Sequence, residues 1–426
     1  MSTGTQQLLG RVHWPRRWAL RFVVVLVAVA GTSVAVVGIM VAVDRIFFAE
    51  ATQKVCQLQA THTSRPRLQR ILDGVVVGPS TLAPGATAYV SGPHGSWSGA
   101  AGVADTSTCA RMPVDARMRL ESVTKIYTAT LVLQLAQEGK LRVGDTVARW
   151  LPGLLPYGNR ITIRQLLTMR SGLIDNNDLR NAPESVQRTY LGRVKDANLR
   201  AQLVATLARA EDDPAVVVPE TFWIRWAAWQ PLLFPPGAGR HYSNIGYDIL
   251  GLIAARAGGE PLVRLYRERI FEPLGLHATA YDPQGPIKGP HARGYGIEPN
   301  GMQTDTTDWH WGVGAEGGIV SNAEDTATFL TALMRGELLD RTQLTAMEGE
   351  NLWSGGDWAS CPGLDASDAQ AYGWSGGGSG YKTDVWVNDG GSRVAVLLLN
   401  ARHYDTAQPA ADQAAHDTLA RLYCGA

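Results

Sequence analysis

Two β-hairpin patterns, one near each end of the chain, constrain its fold more than any other feature. The first spans 86–103, where two runs of small, aromatic and β-branched residues flank the turn-forming tetrad GPHG at 92–95. The second spans 381–400, where the alternating run YKTDVWV and a continuous Val/Leu run flank NDGG at 388–391. Strands so far apart in sequence can share one hydrophobic core by pairing in a single sheet.

The segment between the hairpins has mainly helical periodicity. Apolar residues recur at helical spacing over 123–138, Gly139 supplies a helix end, and 247–257 repeats the pattern. A further helix is predicted over 406–423. We therefore expect an α+β fold: an antiparallel sheet built from N- and C-terminal strands and flanked by helices, with an inserted, mainly helical lobe over about 126–345. A crevice at the lobe boundary would suit a small-molecule site.

The segment 22–43 contains no charged residue and predicts one transmembrane helix. It would extend about 33 Å, enough to cross a hydrocarbon core of about 30 Å. The basic leader 1–21 would then lie in the cytoplasm, and a linker 44–64 would lead to an extracytoplasmic domain at 65–426. A cleaved secretory signal is the alternative, and it also places the globular part outside the cytoplasm.

The composition excludes two classes of protein. With 45% hydrophobic residues the chain is too apolar to be disordered over most of its length. Lys plus Arg and Asp plus Glu each number 39, so no excess of positive charge is available to hold a phosphate backbone. We expect no nucleic-acid partner, and the sequence leaves the oligomeric state open.

The chain contains four cysteines: Cys56, Cys109, Cys361 and Cys424. None forms a C-x-x-C pair, and the histidines show no H-E-x-x-H spacing, so we expect no metal and no other cofactor. Outside the cytoplasm an even number of cysteines permits two disulfides. A bond between Cys56 and Cys424 would join the ends of the folded part, and four partly buried thiols are the alternative.

Ser122 and Lys125 form a candidate nucleophile and base at the start of a predicted helix. Residues three apart on a helix share a face, so the hydroxyl and the amine can come within hydrogen-bonding reach. The positive potential of the helix N-terminus favours an alkoxide on Ser122 and disfavours an ammonium, so Lys125 is expected to act as a neutral base. A second Ser-x-x-Lys at 379–382 lies in a predicted strand and turn, and we interpret it as chance.

Tyr242 and Asn244 follow the loop-forming run LLFPPG at 232–237. A phenol can relay a proton when a neighbouring cation lowers its pKa, and an asparagine can hydrogen-bond a substrate amide. Tyr-x-Asn also occurs at 157–159, so the pattern alone is typical of a turn with a surface tyrosine.

The glycine-rich run YGWSGGG at 372–378 precedes the second hairpin. Its glycines would let a substrate approach the backbone closely, and an edge-strand N–H could face a developing oxyanion. The segment 373–377 also spells G-x-S-x-G. A nucleophile elbow needs a helix directly after it, whereas strand residues follow here, so we reject that interpretation.

In this order, the three elements resemble the serine β-lactamase and penicillin-binding-protein superfamily, above all class C β-lactamases, D-alanyl-D-alanine carboxypeptidases and β-lactamase-like esterases. The similar stretches, from about residue 65 to 402, are ESVTKIYTATLVLQLAQEGKL, ITIRQLLTMRSGL, LLFPPGAGRHYSNIGYDILGLI, IFEPLGL, GAEGGIVSNAEDTATFL and the glycine-rich run. The fold of that family agrees with the expected sheet and lobe.

The resemblance implies a role for each matching position. Ser122 would attack a scissile carbonyl and form an acyl-enzyme, while Lys125 and Tyr242 move the proton. The backbone N–H groups of Ser122 and Gly377 would form the oxyanion hole, and Asn244 would hold the amide side chain of the substrate.

The third element departs from the family pattern, which usually begins with Lys or His. Here Trp374 stands at that position, followed by Ser375 and Gly376 as further substrate-binding residues. A cation would attract a substrate carboxylate, whereas an indole offers an apolar face and one donor. Trp-x-Gly resembles the esterase branch, and the run Lys-Thr-Asp at 382–384 falls several residues too late to replace it.

We expect a membrane-anchored serine hydrolase that cleaves an amide or ester of a small molecule or cell-wall peptide, as a D-alanyl-D-alanine carboxypeptidase-like penicillin-binding protein. A carboxylesterase and a class C-like β-lactamase are the enzymatic alternatives, and a penicilloyl-binding sensor is the non-enzymatic one. The tryptophan-rich run TFWIRWAAW at 221–229 predicts either buried core or an exposed substrate wall or membrane-facing patch.

Overall fold

Strands from both ends of the chain build the main sheet. The computed structural model describes residues 56, 64–76, 81–209, 218–298, 301–309, 313–344, 361, 371–403 and 407–426. Within these ranges the strands are β1 (Gly85–Gly92), β2 (Gly95–Asp105), β3 (Ala110–Arg111), β4 (Met118–Arg119), β5 (Ala280–Tyr281), β6 (Tyr295–Ile297), β7 (Gln303–Asp305), β8 (Ile319–Ser321), β9 (Tyr372–Gly378), β10 (Tyr381–Val387), β11 (Val394–Leu399) and β12 (Ala401–His403). The main sheet has the antiparallel order β3-β2-β1-β11-β10-β9.

The two predicted hairpins meet at the centre of this sheet. Strand β1 pairs with β11, with Ala86 opposite Leu399, and β11 pairs with β10. All six residues of β11 are buried. An apolar run without alternation suits a central strand that is covered on both faces, and helices pack on both of its sides. The predicted assembly of one antiparallel sheet from the two ends of the chain is confirmed.

Helices cover this sheet and fill the lobe inserted between β3 and β9. The helices of the described ranges are α1 (Pro66–Asp73), α2 (Thr124–Gln137), α3 (Val147–Trp150), α4 (Ile163–Leu167), α5 (Asn176–Arg180), α6 (Glu184–Arg193), α7 (Ala197–Arg209), α8 (Glu220–Ala227), α9 (Asn244–Gly258), α10 (Leu262–Tyr266), α11 (Ala323–Met334) and α12 (Gln408–Cys424), with a π-helical turn at Arg267–Phe271 and 3₁₀ turns at Glu121–Val123 and Asp389–Gly391. Two small three-stranded sheets, β12-β6-β7 and β4-β8-β5, complete the fold.

Helix α2 is the central helix of the molecule. Most of its residues are buried on every side, as expected of a helix without a polar face. It packs against α9 in the lobe and follows directly on the 3₁₀ turn beside β9. Gly139 ends it in a left-handed conformation (φ +71°), as predicted. The helix therefore runs from the edge of the main sheet into the lobe.

Two disulfides hold the described part of the chain, and neither is the bond between Cys56 and Cys424 that the sequence left possible. Cys56 is bonded to Cys109, beyond the end of β2, and Cys361 is bonded to Cys424, the last residue of α12. A bond between Cys56 and Cys424 is thereby excluded. Cys56 is thus bonded to the segment that follows β2, and Cys424 is bonded to Cys361, so the two ends of the domain are not bonded to each other.

The predicted membrane-spanning segment 22–43 lies outside the described residues. Among those that are described, no helix combines the length and apolar character needed to cross a bilayer. The anchor, the leader 1–21, the linker 44–64 and the domain boundary at 65 stay predictions.

Candidate active site

The start of helix α2 brings a serine, a lysine and a tyrosine together. Ser122 lies in the 3₁₀ turn and Lys125 in the first turn of α2, which places Lys125 Nζ 3.1 Å from Ser122 Oγ. Tyr242, just before α9, has its Oη 2.7 Å from the same Oγ. Since α9 packs against α2, the amine of Lys125 and the phenol of the distant Tyr242 both contact the Ser122 hydroxyl.

Lys125 is fully buried, yet oxygen atoms surround its amine. Nζ donates to Asn244 Oδ1 at 2.7 Å, to the Glu316 carbonyl at 2.8 Å and to Glu316 Oε2 at 3.1 Å. Burial opposes the charged form, but Tyr242 and Glu316 outweigh it and raise the pKa of Lys125 above its usual value. This direction favours the ammonium, which the Glu316 carboxylate stabilises, over the neutral lysine expected from the sequence.

Tyr242 is also protonated at rest. Although 37% of the residue is exposed, burial of its hydroxyl raises its pKa, and the neighbouring Lys125 offsets this only in part. Groups that interact this closely titrate as a unit. The Lys125–Tyr242 pair must therefore lose one proton before it can accept the proton of Ser122 Oγ.

Asn244 lies at the first position of α9, after the N-cap Ser243. Its Oδ1 accepts from Lys125, and its Nδ2 donates to Asp175 Oδ2 at 3.2 Å and to Asn176 Oδ1 at 3.3 Å. Both ends of the amide thus have protein partners, and the predicted contact with a substrate amide stays a prediction. Burial raises the pKa of Asp175 to about 6, against hydrogen bonding from Asn244 and the charge of Lys125.

The glycine-rich run forms the edge strand β9 beside the nucleophile. A methyl group on Gly376 would lie 2.9 Å from the backbone nitrogen of Ser122, closer than such carbon atoms pack. Only glycine lets the strand approach this closely, which places Gly376, the residue before Gly377, next to the backbone nitrogen of Ser122. This approach suits the predicted oxyanion hole, whose donors are the N–H groups of Ser122 and Gly377.

Trp374 was predicted to bind substrate, but its side chain does not line the crevice. It points to the same face of β9 as Gly376 and is only 4% exposed, because its indole packs in the main hydrophobic core. An alternating strand sends Trp374 inward and Ser375 outward. Its side chain therefore supports the strand, and Ser375 is the exposed residue of the two.

A lysine from the neighbouring strand reaches the exposed serine. Lys382 in β10 donates from Nζ to Ser375 Oγ, and also to Asp384 Oδ1 at 2.8 Å. It lies 3.5 Å from Asp412 of α12, which also pairs with Arg402. The segment 379–382 that we interpreted as chance therefore supplies a buried cation to the third element, although its partner is not Ser379.

Sequence reasoning missed Glu316 and Asp175 near the serine and its lysine, and it missed the contact of Lys382 with Ser375. Glu316 stands in GAEGG at 314–318, where a charged residue among small ones is a usable signal. Asp175 is marked only as the N-cap of α5. Lys382 was seen, but its contact depends on the register that places it opposite Gly377 in β9.

The tryptophan-rich run is mainly core. Trp223 and Trp226 are buried, with ring centroids 6.3 Å apart in an edge-to-face arrangement, while Trp229 is partly exposed. The second Tyr-x-Asn segment lies elsewhere, since Tyr157 donates its hydroxyl proton to the Ala227 carbonyl of the lobe. In the described ranges, no cluster of three or more His, Cys, Asp or Glu residues could hold a metal ion.

Comparison with known proteins finds a match over most of the chain. The sequence model of the Beta-lactamase family matches residues 78–420. Penicillin-binding protein 4 of Amycolatopsis lactamdurans is 27% identical over 331 residues, which are 71% of this chain and 76% of that protein.

Two other curated relatives match over shorter stretches. A putative D-alanyl-D-alanine carboxypeptidase of Escherichia coli O157:H7 is 28% identical over 279 residues, 59% of each chain. Esterase EstB of Burkholderia gladioli is 34% identical over 188 residues, 43% of each chain. The chain thus spans about half the length of these two proteins.

Among solved structures, a D-stereospecific amidohydrolase from Streptomyces sp. superimposes with a TM-score of 0.63 at 23% identity. The superposition covers 85% of this chain and 99% of that one. The described sheet and inserted lobe therefore form a known fold.

Proposed function

Since the chain belongs to the β-lactamase family and is a serine hydrolase, we propose that it is a D-alanyl-D-alanine carboxypeptidase-like penicillin-binding protein that acts outside the cytoplasm. The observation that carries the proposal is the placement of Lys125 Nζ and Tyr242 Oη at 3.1 Å and 2.7 Å from Ser122 Oγ, beside the edge strand β9. This arrangement suits acyl transfer.

The reaction begins when the Lys125–Tyr242 pair has lost one proton. Ser122 Oγ attacks the carbonyl carbon of the scissile amide and passes its proton to Tyr242 Oη, which is hydrogen-bonded to it. The carbonyl oxygen becomes an oxyanion, which the N–H groups of Ser122 and Gly377 stabilise. The amide C–N bond then breaks, and the leaving amine takes the proton from Tyr242.

Water completes the cycle. A water molecule gives one proton back to Tyr242 and attacks the ester carbonyl of the acyl-enzyme. The bond from that carbonyl carbon to Ser122 Oγ breaks, Oγ recovers a proton, and the acid product leaves. Throughout, the Lys125 ammonium stabilises negative charge on the phenol oxygen, and its contact with Glu316 keeps it in place.

The contact of Lys382 with Ser375 supports a substrate that ends in a free carboxylate. The Ser375 hydroxyl accepts from Lys382, so its own proton is available for a carboxylate oxygen at the exposed face of β9. Such a hydrogen bond to an anion is stronger than one between neutral groups. The lysine thus holds the Ser375 hydroxyl in place from the neighbouring strand, and this hydroxyl would meet the carboxylate, because the charge of the lysine is balanced by Asp384 and Asp412.

Location outside the cytoplasm is supported by the two disulfides, since such bonds persist in oxidising compartments. The predicted helix over 22–43 would anchor the domain at the membrane.

A carboxylesterase is the second candidate, and Trp374 in the place of the family's Lys or His favours it. An esterase needs no cation for a substrate carboxylate. The partial match to Esterase EstB is in keeping with this alternative.

Release of D-alanine tests the proposal. The full chain is incubated with a synthetic peptide ending in D-Ala-D-Ala, with the same peptide as its C-terminal amide, and with p-nitrophenyl acetate. We expect D-alanine from the acid peptide, much less product from the amide, and covalent labelling of Ser122 by a fluorescent penicillin. Ester hydrolysis without D-alanine release or penicillin labelling would establish the esterase instead, and fast turnover of nitrocefin would establish a β-lactamase.

A further inference from the structure

Glu121, which directly precedes the nucleophile, has an unusual backbone conformation. Its φ is +51°, in the left-handed region that favours glycine. Residues other than glycine are strained in this region, and the surrounding structure must stabilise them. The conformation therefore needs an explanation in the packing of the side chain.

The Glu121 side chain is buried against the oxyanion strand. The residue is only 6% exposed, and a methyl group on Gly378 would overlap its carboxyl group. Its Oε1 has no hydrogen-bond partner in the part of the chain that the structure describes. A buried carboxyl oxygen without a partner is costly, and such groups occur more often at functional sites than in plain core.

Charged groups from several elements surround this carboxyl. Glu316, from the loop before β8, repels its negative form. Arg119 of β4, Lys125 of α2 and Arg402 of β12 attract it. Burial, followed by the charge of Glu316, outweighs the three cations and raises the pKa of Glu121 to about 7.

We propose that Glu121 is a positioning residue that holds β9 at its distance from the Ser122 N–H, and that loss of its proton weakens the oxyanion hole. The carboxyl fills the space between the turn that bears Ser122 and the backbone of Gly378. When it ionises, its negative charge lies next to the site where the carbonyl oxygen becomes negative, and the two charges repel. This inference rests on the proposed function, because it assumes acylation of Ser122.

The rate at which a fluorophosphonate probe labels Ser122 tests the effect of the charge. In this reaction Oγ bonds to phosphorus, fluoride leaves, and the phosphoryl oxygen takes the place of the oxyanion. The rate constant is measured from about pH 5.5 to about pH 9 for the wild type, Glu121→Gln and the control Glu337→Gln, whose side chain is exposed.

The titration of the Lys125–Tyr242 pair affects the wild type and Glu121→Gln alike, so its effect drops out of the ratio of their rate constants. We expect this ratio to fall about tenfold as pH rises through the range in which Glu121 ionises, while the ratio to Glu337→Gln stays constant. A ratio to Glu121→Gln that does not change with pH would overturn the inference. If the wild type is not labelled at Ser122 at any pH, the proposed function itself fails.

Glu121→Gly separates the spacing role from the charge. Glycine adopts the left-handed conformation without strain but removes the side chain that supports β9. We expect Glu121→Gly to be labelled about tenfold more slowly than Glu121→Gln at every pH, because the oxyanion donors lose their fixed separation. Equal rates for these two variants would show that the carboxyl does not position the strand.

Discussion

The two Ser-x-x-Lys segments, 122–125 and 379–382, have the same pattern but serve different chemistry. In the first, a helical turn brings Lys125 to the serine of its own motif. In the second, the lysine lies in a strand and reaches Ser375, seven residues earlier, instead of Ser379. The element that carries a motif decides which of its residues can meet.

The partners of the two buried lysines also differ. Lys125 contacts a phenol, an amide and one glutamate, and the phenol and the amine both lie at the Ser122 hydroxyl. Lys382 donates to Ser375 and pairs with Asp384 and Asp412, whose carboxylates balance its charge. The first lysine suits proton transfer at Ser122, and the second suits orientation of the Ser375 hydroxyl.

Alanine substitution of the serine in each Ser-x-x-Lys segment should give the largest difference in activity between the two segments. Ser122→Ala removes the nucleophile, so we expect kcat for p-nitrophenyl acetate to fall by roughly 10⁴-fold or more. Ser379→Ala removes a hydroxyl that touches no reacting atom, and its kcat should stay within about twofold of the wild type. Circular dichroism checks that both variants fold. Turnover retained by Ser122→Ala would move the nucleophile elsewhere.

The pH dependence of the reaction should report the protonation state of the Lys125–Tyr242 pair. Because the pKa values of Lys125 and Tyr242 are both raised, the pair is protonated at neutral pH and loses its proton only as pH rises. We therefore expect kcat/KM for a neutral ester to increase with pH, by about tenfold per pH unit on the alkaline side. The measurement uses Glu121→Gln, in which that carboxyl no longer titrates. A rate that is flat above pH 7 would contradict a protonated pair.

Removing the hydroxyl that Lys382 contacts should have a smaller and more selective effect. Ser375→Ala is expected to raise KM for a D-Ala-D-Ala peptide by about tenfold, the equivalent of one charge-assisted hydrogen bond. KM for the corresponding C-terminal amide should change much less, since that group carries no charge. Equal changes for the two peptides would show that Ser375 does not recognise a carboxylate.

Local pattern predicted the fold well, because the features that define it are short-range. Alternation and turn residues fix each hairpin, and helical spacing fixes α2 and α9. The disulfides depend on which loops pack side by side after folding, so the spacing of Cys56 and Cys424 along the chain contained no information about their partners. That pairing could not be read from the sequence.

The candidate site was predictable to the extent that its residues lie in recognisable motifs. Ser122, Lys125 and Tyr242 do so, and the structure brings them together. The protonation state of Lys125 depends on Glu316, which is 191 residues away along the chain. The inward direction of Trp374 depends on which face of β9 meets the 3₁₀ turn at Glu121–Val123. Both properties arise only from tertiary packing.

The sheet order has a consequence for how the protein is made. Strand β9 and its partners β10 and β11 lie near the end of the chain, whereas Ser122 lies near its beginning. During synthesis the nucleophile therefore emerges long before the strand that completes its crevice, and pairing of β1 with β11 closes a very long loop. The crevice of a nascent chain thus stays incomplete until β9, β10 and β11 have left the ribosome.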